Sequence, residues 1–375
     1  MPRFLQTADW QIGRQYGQFP PEDAIPLAEA RFKAVERIAA LANEHQVDVV
    51  LVAGDVFDTQ TVSPRTIRQL FNAMAGFRGQ WIMIAGNHDA ALAESVWTRA
   101  RRIEAIPANV DLLLEPATVK EYPALGIAIL AAPLTQRHTY DDLTASFDEV
   151  ETTPGLLRIG LAHGSVQGLL STDIDSANPI APDRAERARL DYLALGDWHG
   201  CLEVNARVWY SGTPEPERFR NNDAGRTLLV DIPQPGATPQ VTRLTTAQYR
   251  WESAEFPLNV PSDADPVIQW LAQQEDQVVL NLMLTGQTDI EHHFALTRAI
   301  SEADGRLRSV RVDLSAVKLM PTDAEIAGLK ADGYLGEVIA DLRDLQNNEA
   351  DAEIAGEALA ILATLLTEQA QEASA

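Results

Sequence analysis

Five short apolar runs end in residues of the metal-binding kind, in one order along the chain. Arg3–Ala8 runs into Asp9-Trp10-Gln11, and Asp48–Ala53 into Gly54-Asp55-Val56-Phe57-Asp58. Trp81–Ala85 runs into Gly86-Asn87-His88-Asp89, Arg158–Ala162 into His163-Gly164, and Tyr192–Leu195 into Gly196-Asp197-Trp198-His199. Runs dense in Val, Ile and Leu on both faces mark strands buried between two layers. Further candidate strands are Gly126–Ala131, Val208–Ser211 and Thr227–Ile232. Helical periodicity occupies Pro26–His45, where Leu27, Ala30, Ala34, Ile38 and Leu41 recur at steps of three and four. Ser63-Pro64 is a second helix start, an N-cap followed by proline at the first helical position. Its stripe continues through Ile67, Leu70, Phe71 and Met74. This rhythm predicts an α/β layered domain. The carboxyl ends of its strands open on one crevice, so the five termini bring Asp, Asn and His side chains together.

An Asp or Gly after a strand is ordinarily a turn residue, and a lone His163 reads equally well as a satisfied, half-buried histidine. Five such ends in one rhythm exceed what turn-making needs. Carboxylate, amide oxygen and imidazole suit two borderline-to-hard divalent ions, Mn²⁺ first, with Mg²⁺, Fe²⁺ and Zn²⁺ as alternatives. Two such ions about 3.5–4 Å apart clamp a phosphodiester and activate water. No Ser, Thr or Cys nucleophile motif competes for that role.

The 375 residues carry a net charge of −24, which argues against a generic basic nucleic-acid coat. The excess is uneven: residues 251–375 hold 23 acidic and 7 basic residues, a net of −16, against −8 for residues 1–250. A boundary near Thr245–Arg250 follows, with Pro233–Pro239 read as a link. A smaller α/β pattern comes next. Asp265-Pro266 opens a helix, Val278–Leu284 is a strand, Ile290–Glu302 a helix and Leu307–Leu314 a strand. From Thr322 the chain reads as helical, with Ile354, Ala358, Ile361, Leu362, Leu365 and Leu366 on one apolar face. That face packs on its own domain or on a partner. The expected division is 1–245, 246–318 and 319–375. The single Cys201 excludes a disulfide framework and fits a reducing cytoplasm. Apolar runs such as Leu125–Leu134 reach about half of a membrane span, and Phe4 and Leu5 belong to a strand rather than a leader. A cytoplasmic protein without membrane contact is expected.

Asp9, GDVFD at 54–58, GNHD at 86–89, His163-Gly164 and the 196–199 segment together resemble the five-motif pattern of calcineurin-like metallophosphoesterases. TADW, ALGDWH and Tyr210-Ser211-Gly212-Thr213-Pro214 are similar to the nuclease subunit of SbcCD-type DNA repair complexes. The likeness covers roughly residues 1–235 and is architectural beyond them. It implies a layered β-sandwich core flanked by helices, a small α/β capping domain, and C-terminal helices that bind an SMC-like ABC ATPase of the SbcC type. It implies a metal-dependent DNA exo- or endonuclease acting in double-strand-break repair. Homodimerisation would use phosphoesterase-domain helices, here Pro26–His45 or Ser63–Ala75.

Carried over by residue, the resemblance has Asp55 bridge two metals. Asp9 and His199 bind the first, and Asn87 and His163 the second. His88 stands beside the scissile phosphate, stabilising charge or protonating the leaving oxygen. Its alternative is to orient a turn. Asp58 orients His88, and Asp89 caps. Two positions depart from the family pattern. Gln11 stands where the family has the His of Asp-x-His, and Asp197 where it has the first His of Gly-His-x-His. Both can still coordinate, so Gln11 and Asp197 join the expected metal set. A weaker first site, and a shift of the second toward Mn²⁺ or Mg²⁺, are expected. A one-metal or weakly catalytic enzyme is the competing reading.

Arg99, Arg101 and Arg102, then Arg184, Arg187 and Arg189, then Arg218 and Arg220 form arginine groups suited to phosphate oxygens. The alternative is solvated helix faces with Glu104 and Glu186 as partners. Trp10 and Trp198 either floor the pocket or stack on a base. Two further functions stay open: a phosphoesterase for another substrate such as a nucleotide, and a non-catalytic DNA-binding scaffold.

Overall fold

The computed structural model describes residues 3–169, 177–328, 333–346 and 351–372. It divides into two compact units, Met1–Tyr249 and Arg250–Ala375.

In the first unit the strands run β1 (Arg3–Thr7), β2 (Val49–Val52), β3 (Gln80–Met83), β4 (Val110–Leu112), β5 (Thr118–Tyr122), β6 (Ile127–Ala132) and β7 (Leu157–His163). They continue as the short β8 (Ser165–Val166) and β9 (Pro179–Ile180), then β10 (Tyr192–Gly196), β11 (Leu202–Asn205), β12 (Val208–Tyr210), β13 (Arg226–Asp231) and β14 (Gln240–Thr245). One sheet has the order β14-β13-β1-β2-β3-β4, the other β11-β12-β10-β7-β6-β5. Strands β1 to β4 pair in parallel, as do β6, β7, β10 and β12. The carboxyl ends within each set therefore share an edge.

The apolar runs are continuous because both faces are covered. All four residues of β2 are buried. Val49 and Leu51 pack between the sheets with Ile129, Ile159 and Ala194. Val50 and Val52 face the helices, with Ile38, Ile67 and Trp97. The outer face of the second sheet is covered in turn by Phe147, Ala185 and Leu190. Two helices against the first sheet are α1 (Pro21–Glu44) and α2 (Pro64–Met74). Helix α1 starts five residues before the predicted Pro26 and tolerates Pro26 in its second turn. A missing N–H costs nothing at the first helical position, which Pro21 occupies. Ser63 caps α2 as expected, accepting from the Thr66 N–H at 3.1 Å.

Pro233–Pro239 is not an interdomain link. It is the turn of the β13–β14 hairpin, in which Asp231 pairs with Gln240. Strand β14 escaped prediction because it is mostly exposed and lacks an apolar run.

The second unit holds a three-stranded parallel sheet of β15 (Arg250–Leu258), β16 (Val278–Thr288) and β17 (Ser309–Leu319). Leu258, Leu280, Leu284 and Leu296 lie in its core. Three further helices cover residues 323–328, 334–346 and 352–372. The predicted apolar face of the last splits. Leu362 and Leu366 pack on Ile326, Ile339 and Leu359, whereas Ile354, Ile361 and Leu365 are exposed. No described helix is long and apolar enough to cross a membrane.

Candidate metal centre

The chain turns sharply where the strands of the crevice end. Asp9, Gln11, Asp55 and Asp197 all have positive φ, between 49° and 101°. That region is unfavourable for residues with a Cβ, at about 1–3 kcal/mol each, and strain of this kind collects at functional sites. Backbone lacing holds it in place. The N–H groups of Asp9 and Gln11 donate to the carbonyls of Gly54 and Asp55, both at 3.0 Å. Gly86 and Gly196 are required by proximity. A Cβ on Gly86 would run into the Asp55 carboxylate, and one on Gly196 into the Ala53 carbonyl.

These turns gather acceptors. Carboxylate oxygens of Asp9 and Asp55 and a ring nitrogen of His163 all lie within 4.8 Å of one another. His163 Nε2 is 3.6 Å from Asp55 Oδ1 and 3.8 Å from Asp197 Oδ1. Its Nδ1 donates to the Ala53 carbonyl at 2.8 Å, which leaves Nε2 turned toward the carboxylates. The amide oxygen of Asn87 faces His163 Nε2 at 3.0 Å, and it meets only acceptors. Turning that amide would instead donate to Asp55 at 3.0 Å. Gln11 Nε2 donates to Asp55 Oδ2 at 2.9 Å and lies 3.5 Å from His199 Nε2, while its Oε1 is buried without a partner.

Such a set fits a divalent cation. Burial pushes Asp9 and Asp197 above the usual carboxylate range. Burial alone would lower His163, yet Asp55, Asp9 and Asp197 outweigh it and hold the imidazole up at about 9. The carboxylates of Asp9, Asp55 and Asp197 thus favour positive charge at this point, which a bound cation would supply. Asp9, Gln11, Asp55 and His199 could hold one ion, and Asp55, Asn87, His163 and Asp197 another.

The catalytic candidates lie beside this set. His88 Nε2 is 4.0 Å from Asp55 Oδ2, and the His88 N–H donates to Asp55 Oδ1 at 2.9 Å. Asp58 meets His88 through its backbone carbonyl, which accepts from Nδ1 at 2.7 Å. The Asp58 carboxylate pairs instead with Arg14 at 3.2 Å. Asp89 is buried and accepts from the N–H groups of Gly86, Val56 and Phe57, the capping role expected of it.

Sequence reasoning missed Glu217. Its Oε1 accepts from His199 Nδ1 at 2.6 Å, and its Oε2 pairs with Arg31 and Arg14, each at 3.0 Å. Burial opposes ionisation, but His199, Arg31 and Arg14 hold the Glu217 carboxyl down at about 2. One chain of contacts thus joins both imidazoles: His88, the Asp58 carbonyl, the Asp58 carboxylate, Arg14, Glu217, His199. Arg31 offered a signal, a cation inside the apolar stripe of α1. Tyr210 ties the segments together, donating to the Gly164 carbonyl at 2.8 Å and accepting from the Val166 N–H.

Trp10 is fully buried against Trp81 and donates to Thr7 Oγ1, so it packs the core. Trp198, Thr213, Arg218, Arg220 and Asn222 line a cavity of about 250 Å³ together with Asp55, Asn87, His88, Asp197 and His199. In the other two groups Arg99, Arg102, Arg184, Arg187 and Arg189 are committed elsewhere. Arg99 donates to the Gln60 and Val62 carbonyls, and Arg102 pairs with Glu94. Arg184 and Arg187 pair with Asp148, and Arg189 with Glu151. Glu104 and Glu186 are not their partners.

Residues 2–178 match the family model described as calcineurin-like phosphoesterase. The chain is 24% identical over 273 residues to the DNA double-strand break repair protein Mre11 of Aeropyrum pernix, covering 67% of this chain and 63% of that protein. It is 40% identical over 94 residues to a subunit of the nuclease SbcCD from Rhodobacter capsulatus, covering 24% and 22% of the two chains. It is 24% identical over 243 residues to the uncharacterized metallophosphoesterase YhaO of Bacillus subtilis, covering 61% and 57%. The chain thus spans less than two-thirds of the length of these relatives. The two-sheet fold and the acidic centre at its strand ends agree with the match of residues 2–178 to a calcineurin-like phosphoesterase domain.

Proposed function

We propose that this protein is a metal-dependent DNA nuclease, exo- or endonucleolytic, that works in double-strand-break repair with an SMC-like ATPase. The observation that carries the reading is the cluster of Asp9, Asp55 and His163, whose member Asp55 also lines a cavity with Asn87, His88 and His199. Bound divalent ions would supply Lewis acidity and a water ionised near neutral pH. Asp55 would be shared between two ions, and Gln11 and Asp197 would complete the set with oxygen donors. Mn²⁺ suits this mixture of carboxylate, amide and imidazole. His88, held at Nδ1 by the Asp58 carbonyl, is free at Nε2 to stabilise phosphate charge or protonate the leaving oxygen.

DNA as the substrate draws support from the likeness to proteins named for break repair and for the SbcCD nuclease. The exposed Ile354, Ile361 and Leu365 suit a C-terminal helix that docks on the ATPase. The small sheet unit would act as the capping domain. A cytoplasmic location fits the single buried Cys201. A second reading, a phosphoesterase for another ester, is favoured by the resemblance to a metallophosphoesterase without nuclease in its name.

The test incubates the protein with Mn²⁺, labelled single- and double-stranded DNA, and bis-p-nitrophenyl phosphate. Asp55→Ala and His88→Ala serve as controls. DNA degradation lost in both variants supports the nuclease. Hydrolysis of the small ester alone moves the assignment to the second reading.

A further inference from the structure

We propose that Arg218 and Arg220 form a second phosphate subsite, taking the phosphate next to the one held at the acidic centre in a nucleic-acid strand. This rests on the nuclease reading and sharpens its substrate class to an oligonucleotide rather than an isolated phosphoester.

The cavity is lined by groups of opposite sign. Asp55 and Asp197 are acidic, whereas Arg218 and Arg220 are cationic. Both arginines are exposed. Glu217 does not cancel the charge of Arg218. It lies 3.3 Å from Arg218 but also pairs with Arg14 and Arg31, each at 3.0 Å, so one carboxylate faces three guanidinium groups. Among the described residues Arg220 has no carboxylate partner. The segment carrying both is tied to the site. The Thr213 N–H donates to the His199 carbonyl at 3.1 Å, and the Gly225 N–H closes back on the Thr213 carbonyl at 2.8 Å. Within the loop, the Arg220 N–H donates to the Arg218 carbonyl and the Asn222 N–H to the Arg220 carbonyl. The loop that carries both arginines is thus tied at its start to His199, which would hold a metal. A planar fork of N–H donors matches phosphate oxygens. A substrate with one phosphate uses the acidic centre alone, whereas a strand presents the next phosphate to the arginines. Trp198, on the same cavity, offers an indole face to the intervening base.

Fluorescence anisotropy on the full chain with Mn²⁺ tests this. Two base-labelled phosphorothioate probes are used, a dithymidine with one internucleotide linkage and a pentathymidine with four. In Arg218→Gln/Arg220→Gln the pentamer Kd rises about tenfold or more, while the dimer Kd changes by less than about twofold. The slope of log affinity against log salt for the pentamer falls by about 1.4, two contacts at about 0.7 each. Equal weakening of both probes, or an unchanged pentamer Kd, overturns the subsite. Cleavage of an unmodified pentamer by the parent protein is scored separately. Its absence contradicts the nuclease reading, while the ratio of the two Kd values still decides the subsite.

Discussion

Glu217 Oε1 accepts the Nδ1 proton of His199 at 2.6 Å, in a carboxylate–imidazole pair that leaves His199 Nε2 turned toward Gln11 and Asp9. The partner fixes both the tautomer and the ring orientation of a candidate ligand. Two arginines fix the partner in turn.

Replacing Glu217 by Gln keeps the shape but gives up the anionic acceptor. Mn²⁺ affinity at the His199 side is expected to fall about 10- to 100-fold, read by isothermal titration calorimetry. Arg31, 1% exposed, loses its charge partner, so the variant also unfolds at lower urea concentration. Unchanged metal affinity would show that Glu217 is only structural.

Gln11 sits where its amide nitrogen bonds Asp55 and its buried oxygen bonds nothing. An amide must turn over to present that oxygen to a cation, and it brings no charge when it does. Gln11→His is therefore expected to raise the ions retained per chain after dialysis, measured by elemental analysis. Two tightly held ions in the parent protein would contradict a weakened first site.

His88 reaches Asp55 through its backbone N–H, and that bond survives any side-chain change. His88→Gln is expected to lower turnover about 10²- to 10⁴-fold with little change in Mn²⁺ affinity. Parallel loss of metal would instead make the imidazole part of the binding set.

Glu215 is 1% exposed and accepts from the Gln248 and Tyr249 N–H groups at the end of the first unit. Burial pushes its carboxyl up from 4.5 to about 7. A raised carboxyl stabilises the fold most below its unfolded value and loses that contribution as pH rises through the folded one. The non-titrating Glu215→Gln variant should therefore gain about 3 kcal/mol relative to the parent between pH 4.5 and 8, by urea unfolding in EDTA. A pH-independent difference would contradict the shift.

Much of this site is legible in the sequence because ligand-type residues follow strands. A strand buried on both faces leaves a continuous apolar run, and the first polar residue after it marks the crevice. Asp9, Asp55, Asn87, His163, Asp197 and His199 group together on that ground. Glu217 does not, because it lies in a charged Pro-rich run that reads as solvated loop, and only the fold brings it under His199. Asp58 stands out for its side chain but meets His88 through its carbonyl, a distinction no side-chain pattern encodes. Strands β11 and β14, half exposed with polar residues, leave no apolar run to read.

The most direct measurement follows acid-soluble nucleotide released from labelled DNA by EDTA-stripped protein on adding back Mn²⁺. Release should begin only with Mn²⁺, and Asp55→Ala should abolish it. Release in EDTA, or an Asp55→Ala variant as active as its parent, would contradict a metal-dependent nuclease centred on Asp55.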